Sequence, residues 1–324
     1  MFKLLEIVQK KLIITIPISM IFGIVFGLFY KDTSFLKLLI FPLTFIMVYP
    51  MMVNLQIKKV LSGGDTKVQI VTQLINFGII PFVAFGLGKM FFADKPLVAF
   101  GLLLAALLPT SGMTISWTGF AKGNINAAVK MTVIGLILGS IATPFYALWL
   151  MGATINIPLV NVFKQIIIIV FLPMVAGLLT QKYILLRYGE EKYNKDIKKK
   201  FPLISMIGVL GIVFVAMALK SATILKDPVS LIYLFIPLSL LYGINFLLST
   251  TVGKIFFNRG DGIALVYGTV MRNLSIALAI AMTVFGKKGS EIALIIALAY
   301  IIQVQSAAWY VKFTDRIFGK VQED

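Results

Sequence analysis

A single arginine stands near the middle of an otherwise apolar stretch of the sequence. Arg272 lies in the run 262–286, and Asn273 and Ser275 follow it closely. If this run spans a bilayer, a guanidinium at such depth is costly, and an intramembrane charge indicates a functional site by default. Snorkelling is the alternative, but a side chain in the middle of a span reaches the interface poorly. We therefore predict that these three residues line or support a polar site.

A second apolar run, 97–121, is interrupted near its centre by Pro109 and Gly112. Proline removes a backbone donor and glycine loosens the turn, so a helix surrounded by lipid would be destabilised. Backbone groups that a break frees must be buried in protein or line a cavity. A kinked helix whose hydroxyls bond to its own backbone is the alternative. The pattern predicts these site-lining residues: Pro109, Thr110, Ser111 and Thr114.

Three polar residues in other apolar runs are candidates for accessory positions at the same site. Lys130 lies near one end of the run 125–151, where its side chain could also snorkel to the interface. Asn76 and Asn245 each stand in the tripeptide Ile-Asn-Phe, in two different halves of the chain.

The residue types that are missing narrow the chemistry. The sequence contains no histidine and no cysteine, which excludes thiolate chemistry and removes the commonest metal ligand. All 13 acidic residues fall in predicted loops, termini or span edges. We therefore expect no enzyme activity, no metal site and no cofactor, because a nucleophile would have only Lys130 as its base. The positive field of Arg272 suits an anion or a neutral polar solute.

The elements that position these residues are membrane helices. Of 324 residues, 59% are hydrophobic and 13% charged, whereas a soluble domain carries about 25% charged residues. The net charge of +17 arises from basic residues at the ends of apolar runs, which favours membrane orientation over nucleic-acid binding. The composition predicts an all-α integral membrane protein with about ten transmembrane helices. Their predicted positions are 12–30, 34–57, 68–92, 97–121, 125–151, 159–181, 203–221, 229–256, 262–286 and 290–312.

The two halves of the chain are predicted to be inverted repeats within one integral membrane domain. Two tripeptides, Phe-Pro-Leu and Ile-Asn-Phe, recur in the second half, and a five-span unit repeated once inserts with opposite topology. The repeats cover about 1–151 and 159–312. A polar stretch at 182–201 reads as a solvated basic loop, with contact to anionic lipid as the alternative, between segments 1–181 and 202–324.

The distribution of lysine and arginine predicts the orientation. They are more numerous in the segments that share a side with the termini. The positive-inside rule then predicts a multi-pass protein of the cell (inner) membrane, with both termini cytoplasmic.

Several motifs resemble those of the arsenical-resistance permeases, the arsenite efflux branch of the bile acid:sodium symporter superfamily. The resemblance runs from the first span to the last. The matching segments are Tyr49-Pro50-Met51-Met52, Pro109-Thr110-Ser111-Gly112-Met113, Trp117-Thr118, Lys122-Gly123-Asn124, Met271-Arg272-Asn273 and Ala277-Leu278-Ala279-Ile280-Ala281.

This resemblance implies ten helices in two inverted five-helix repeats, arranged as a panel and a core domain. The broken fourth and ninth helices would cross inside the core, and transport would proceed by alternating access. In the arsenite branch the arginine takes the electrostatic place of a sodium ion, which implies export driven by protons or by the membrane potential.

The sequence departs from the family pattern at chemically important positions. Thr110 replaces the family's cysteine, and Ser275 replaces its glutamate. Threonine does not coordinate arsenic(III) as a thiolate does, and serine does not titrate. Against the sodium-coupled relatives, the expected glutamate and glutamine align with Gly268 and Arg272.

The sequence therefore predicts a secondary active transporter, or permease, for a small anionic or neutral polar solute, with arsenite or antimonite export among the candidates. The alternative is a sodium-coupled symporter of an organic anion, so proton and sodium coupling both stay open. A channel is a weaker alternative, because one arginine does not form the ring of charges or carbonyls that a selective pore requires. The expected partners are the solute and the lipid bilayer.

Overall fold

Long apolar runs in lipid must form helices, because every backbone amide and carbonyl needs a partner within the segment. The computed structural model describes residues 12–30, 32–56, 64–155, 157–226 and 229–320, and within these ranges it contains no β-strand. The helices are α1 (Leu12–Phe29), α2 (Ile40–Val53), α3 (Thr66–Gly78), α4 (Ile80–Phe91), α5 (Pro96–Leu107), α6 (Gly112–Phe120), α7 (Ile125–Met151), α8 (Leu159–Ile166), α9 (Leu172–Lys192), α10 (Lys200–Lys226), α11 (Val229–Phe256), α12 (Arg259–Val270), α13 (Leu274–Val284) and α14 (Gly289–Phe318).

Among the described residues, seven helical stretches are long and apolar enough to cross a membrane, judged by length and composition. Three shorter apolar helices accompany them: Ile14–Phe29, Pro96–Leu107 and Leu274–Val284. Each of the ten predicted spans coincides with one helix or with a consecutive group of helices. The prediction of an all-α integral membrane protein is therefore confirmed. The two termini, residues 1–11 and 321–324, lie outside the described residues.

The predicted loop at 182–201 is wrong, because this stretch is largely helical. Helix α9 extends to Lys192 with an interruption at Gly189 (φ = +79°), a π-helical turn follows at Tyr193–Ile197, and α10 begins at Lys200. The buried Tyr193 anchors the turn by donating its hydroxyl to the Val53 carbonyl at 3.1 Å. A helix that extends beyond the bilayer and carries charge on its exposed side has the same mean hydropathy as a loop, so hydropathy did not distinguish the two.

The chain divides into two compact units, and each takes segments from both halves of the sequence. Unit 1 comprises Met1–Leu55, Pro158–Ile232 and Ser275–Ala297. Within it, α10 packs closely against α1 and α2. A Cβ added at Gly208 would overlap the backbone of Met47, so the small residue allows the two helix backbones to approach.

Unit 2 comprises Gln56–Ile157, Tyr233–Leu274 and Leu298–Asp324. Within it, α12 packs against α3, α6 and α7, and α5 packs against α4 and α7. Nearly every residue of α5 and of α12 is buried. A helix that is apolar on all sides belongs inside protein, and these two half-helices therefore form the interior of the unit. The division into inverted repeats at about 1–151 and 159–312 stays a prediction.

Candidate functional site

Both predicted helix breaks are present, and the chain segments that form them are paired with each other. Pro109 and Arg272 lie opposite one another in an isolated antiparallel β-bridge. The Thr110 amide donates to the Met271 carbonyl at 2.7 Å, and the Asn273 amide donates to the Leu108 carbonyl at 2.8 Å. The prediction that the fourth span (97–121) and the ninth span (262–286) are broken helices that cross is confirmed. This pairing supplies hydrogen-bond partners for backbone groups that lose their helical partners at the breaks.

Local chemistry explains why the chain breaks between α5 and α6. Pro109 has no amide proton for a continuing helix, and Thr110 adopts φ = +63°, the left-handed region that β-branched residues rarely occupy. Gly135 of α7 faces this turn, and a Cβ added there would overlap Thr110 Oγ1. The neighbouring helix therefore leaves room for the strained threonine.

The hydroxyls at this break stabilise the restart of the helix. Ser111 is the N-cap of α6, and its Oγ accepts from the Met113 amide at 3.2 Å. Thr114 Oγ1 accepts from the Ser111 amide at 3.2 Å, which completes a capping box. Thr110 Oγ1 donates to the Pro109 carbonyl at 2.6 Å. These hydroxyls thus bond to their own backbone, as in the kinked-helix alternative, but the helix is broken rather than kinked.

Arg272 is buried with 3% of its surface exposed and has no carboxylate partner among the described residues. Its Nη1 donates to the Ala106 carbonyl at 3.1 Å, near the C-terminus of α5. A helix C-terminus carries partial negative charge, which compensates part of the cost of burying the cation. The buried Nη2 has no hydrogen-bond partner in the part of the chain that the structure describes. The site therefore holds a positive charge with one unused donor atom.

Gln303 of α14 completes the pairing at Arg272, and it is not among the residues predicted from the sequence. Its Oε1 accepts from the Arg272 amide at 2.8 Å, and its Nε2 donates to the Arg272 carbonyl at 3.2 Å. The Tyr242 hydroxyl donates to the same Oε1 at 2.9 Å. The side-chain amide of Gln303 thus bonds to the Arg272 backbone as the peptide group of a neighbouring β-strand would. A glutamine in the middle of an apolar run was the signal that could have identified it.

Asn76 and Asn245 satisfy two successive carbonyls at the end of α12. The Asn76 Nδ2 donates to the Gly268 carbonyl at 3.0 Å, and the Asn245 Nδ2 donates to the Thr269 carbonyl at 2.8 Å. The last carbonyls of a helix have no partner within it, so a buried helix end needs such donors. The asparagines of both Ile-Asn-Phe tripeptides therefore bond to the same broken helix.

The remaining candidates lie at different places. Asn273 takes part in the crossing through its backbone amide. Ser275 is buried in the first turn of α13. Lys130 is 4% exposed and forms an ion pair with Asp65 at 3.0 Å, just before α3 begins. This pair accounts for the buried lysine charge.

The crossing lies at mid-depth of the long helices that contact it. Asn245 stands near the midpoint of the spanning stretch Ile232–Phe256, and Gln303 near the midpoint of Gly289–Phe318. Because both side chains bond to the broken segment, that segment lies near the centre of the span. Among the described residues, no three acidic side chains come together in a group that could hold a metal ion.

Comparisons with known proteins point to one family of membrane transporters. The profile of the sodium bile acid symporter family matches residues 41–227. An arsenical-resistance protein, Acr3, of Alkaliphilus metalliredigens is 25% identical over 85% of this chain and 80% of its own length. An Acr3 of Corynebacterium glutamicum is 19% identical over 76% of this chain and 70% of its own. Sodium/bile acid cotransporter 7-B of Xenopus laevis is 24% identical over 56% and 53%.

Proposed function

The chain belongs to the sodium bile acid symporter family, and on this basis we propose that it moves a small anionic or neutral polar solute by alternating access. It is a secondary transporter of this superfamily. The relatives named as arsenical-resistance proteins cover most of its length, which makes arsenite and antimonite candidate solutes and export the candidate direction.

The observation that carries the choice of solute class is the environment of Arg272. Its guanidinium is buried at the crossing without a carboxylate among the described residues, and Nη2 has no protein partner there. A buried charge without a partner is strongly destabilising, so an anion or a strong hydrogen-bond acceptor gains by binding beside it. A cationic solute would be repelled by the same charge.

Seven residues are proposed to form the solute site or to hold its shape. Helices α6 and α13 begin directly after the two paired segments, and helix N-termini favour negative charge. Thr110 and Ser275 stand where a cysteine and a glutamate are expected from the family resemblance. Recognition would therefore rest on hydrogen bonds rather than on thiolate coordination. The proposed residues are Pro109, Thr110, Ser111, Thr114, Arg272, Asn273 and Ser275.

The second candidate function is sodium-coupled transport of an organic anion. It is favoured by the similarity to a sodium/bile acid cotransporter. Against it stands the lack of a carboxylate at Arg272 among the described residues. This candidate requires that transport stops when potassium replaces sodium, whereas proton-coupled or potential-driven transport continues. We also propose that the protein lies in the cell membrane with both termini cytoplasmic.

A thermal-shift screen of the purified protein, with small oxyanions, organic acids, neutral polyols and organic cations, tests the proposed solute class. We expect stabilisation by an oxyanion, an organic acid or a neutral hydroxylated solute, and no stabilisation by the cations. A parallel test measures metalloid resistance in a host that lacks its own efflux pump. Stabilisation by organic cations alone would contradict the proposal.

A further inference from the structure

A groove with two exposed cations lies between the C-terminal ends of α11 and α14, and no solute role has been assigned to it. This open groove has a volume of about 640 Å³, and its lining residues are Thr250, Thr251, Lys254, Ile255, Phe313, Arg316 and Ile317. The two helices are joined beside it by a hydrogen bond between the hydroxyls of Thr250 and Tyr310. All of these residues belong to unit 2.

The groove carries two positive charges, from Lys254 and Arg316. Lys254 and Arg316 are exposed, and neither has an ion-pair partner among the described residues. The nearest acidic neighbour in sequence, Asp315, is engaged by Arg259. Among the described residues, no acidic side chain lines the groove. Its ligand is therefore expected to be an anion.

The depth of the groove corresponds to the headgroup level of a bilayer. Asn245 and Gln303 mark the middle of the two helices at the crossing. At 1.5 Å per residue, Lys254 lies about 14 Å and Arg316 about 20 Å further along their helices. Half of a typical hydrocarbon core is about 15 Å thick. The two cations are therefore placed at the boundary between acyl chains and headgroups.

The rest of the groove is apolar and exposed. Ile255 is 66% exposed and Phe313 is 46% exposed. A soluble anion makes no use of these side chains, whereas an acyl chain packs against them. We propose that this groove binds an anionic phospholipid, with the phosphate between Lys254 and Arg316 and an acyl chain along Ile255 and Phe313. Basic pockets between membrane helices bind anionic headgroups in this way. The proposal is independent of the identity of the transported solute.

The test is native mass spectrometry of the delipidated full-length protein with added phosphatidylglycerol or phosphatidylcholine of identical acyl chains. The wild type should bind its first phosphatidylglycerol in preference to phosphatidylcholine. The double variant Lys254→Gln/Arg316→Gln should bind that lipid roughly 25-fold more weakly, from about fivefold per cation removed. The charge-conserving variant Lys254→Arg/Arg316→Lys should stay within a few-fold of the wild type.

Lys312→Gln is the matched control. Lys312 lies one turn before Arg316 on the same helix, but its Nζ stacks on the Trp309 ring at 4.6 Å, and it does not line the groove. This variant should bind phosphatidylglycerol like the wild type. The proposal is overturned if Lys254→Gln/Arg316→Gln keeps wild-type affinity or if the two lipids bind equally. It is also overturned if inorganic phosphate alone displaces the lipid, since the groove would then be a site for soluble anions.

Discussion

Gln303 exchanges two hydrogen bonds with the backbone of Arg272, accepting from its amide and donating to its carbonyl. The backbone of Arg272 is thereby satisfied without any contribution from its own side chain. The guanidinium is left with the Ala106 carbonyl as its partner. Gln303 of α14 thus holds the Arg272 backbone in place, and the proposed solute contact is left to the Arg272 guanidinium.

Replacing Gln303 by leucine should destabilise the protein. The change leaves the Arg272 amide, the Arg272 carbonyl and the Tyr242 hydroxyl without their partner, and each buried polar group left unsatisfied costs about 1–3 kcal/mol. We expect a melting temperature lower by several degrees in detergent. Gln305→Leu is the control, since its Oε1 has no partner among the described residues. Equal melting temperatures for the two variants would contradict the role of Gln303.

Replacing Arg272 by alanine should reduce transport of the solute found in the screen by about 10- to 100-fold, because a hydrogen bond to a charged group contributes about 1.5–3 kcal/mol. Arg272→Lys keeps the charge but loses the planar fork, and it should retain intermediate activity. Flux into proteoliposomes measures both variants. If Arg272→Ala transported the solute at the wild-type rate, the proposal that the solute binds at the crossing would be wrong.

Asn76→Ala and Asn245→Ala should lower stability by similar amounts, about 1–3 kcal/mol each, because each leaves one carbonyl of α12 unpaired. Chemical denaturation of the purified protein can compare them. Gln73→Leu is the control on the same helix as Asn76, because both polar atoms of Gln73 are buried without a partner in the described chain. It should be neutral or stabilising. If Gln73→Leu lowered stability as much as Asn76→Ala, the effect would come from any substitution in this helix and not from the loss of the Asn76 hydrogen bond.

Gly135→Ala should destabilise the break by about 1–3 kcal/mol, the usual cost of overpacking, because the new Cβ overlaps Thr110 Oγ1. Adding Thr110→Ala removes the overlapping atom and should restore part of the loss, whereas adding Thr110→Ser keeps the oxygen and should restore less. A double-mutant cycle on melting temperature measures the coupling. If the changes in melting temperature were strictly additive, Gly135→Ala would not act through an overlap with Thr110.

The crossing is predictable from the sequence because its residues break strong local rules. A proline and an arginine within apolar runs each require interior partners, and only another broken segment can supply them. The partner of Gln303 is not predictable in the same way, because a glutamine in a span shows that a bond is needed but not where its partner lies. The hydroxyls of Ser111 and Thr114 show a similar limit. Their types fit both solute binding and helix capping, and only the geometry reveals the capping box.

The helical stretch at 182–201 shows where hydropathy fails. The exposed charged residues near the end of α9 give this stretch the same mean hydropathy as a loop. The hydrogen bond of Tyr193 to Val53, which anchors the stretch, joins residues far apart in the chain. Such long-range contacts leave no periodic signal in a single sequence.

The backbone pairing of Pro109 with Arg272 has a mechanical consequence. Two interstrand hydrogen bonds, reinforced by Gln303, hold the three half-helices α5, α6 and α12 of unit 2 together at one point. A movement that separated them would leave several buried peptide groups without partners. The half-helices should therefore travel as a single block during the transport cycle. Spin labels on α6 and α12 should report one constant separation whether the solute faces the cytoplasm or the opposite side.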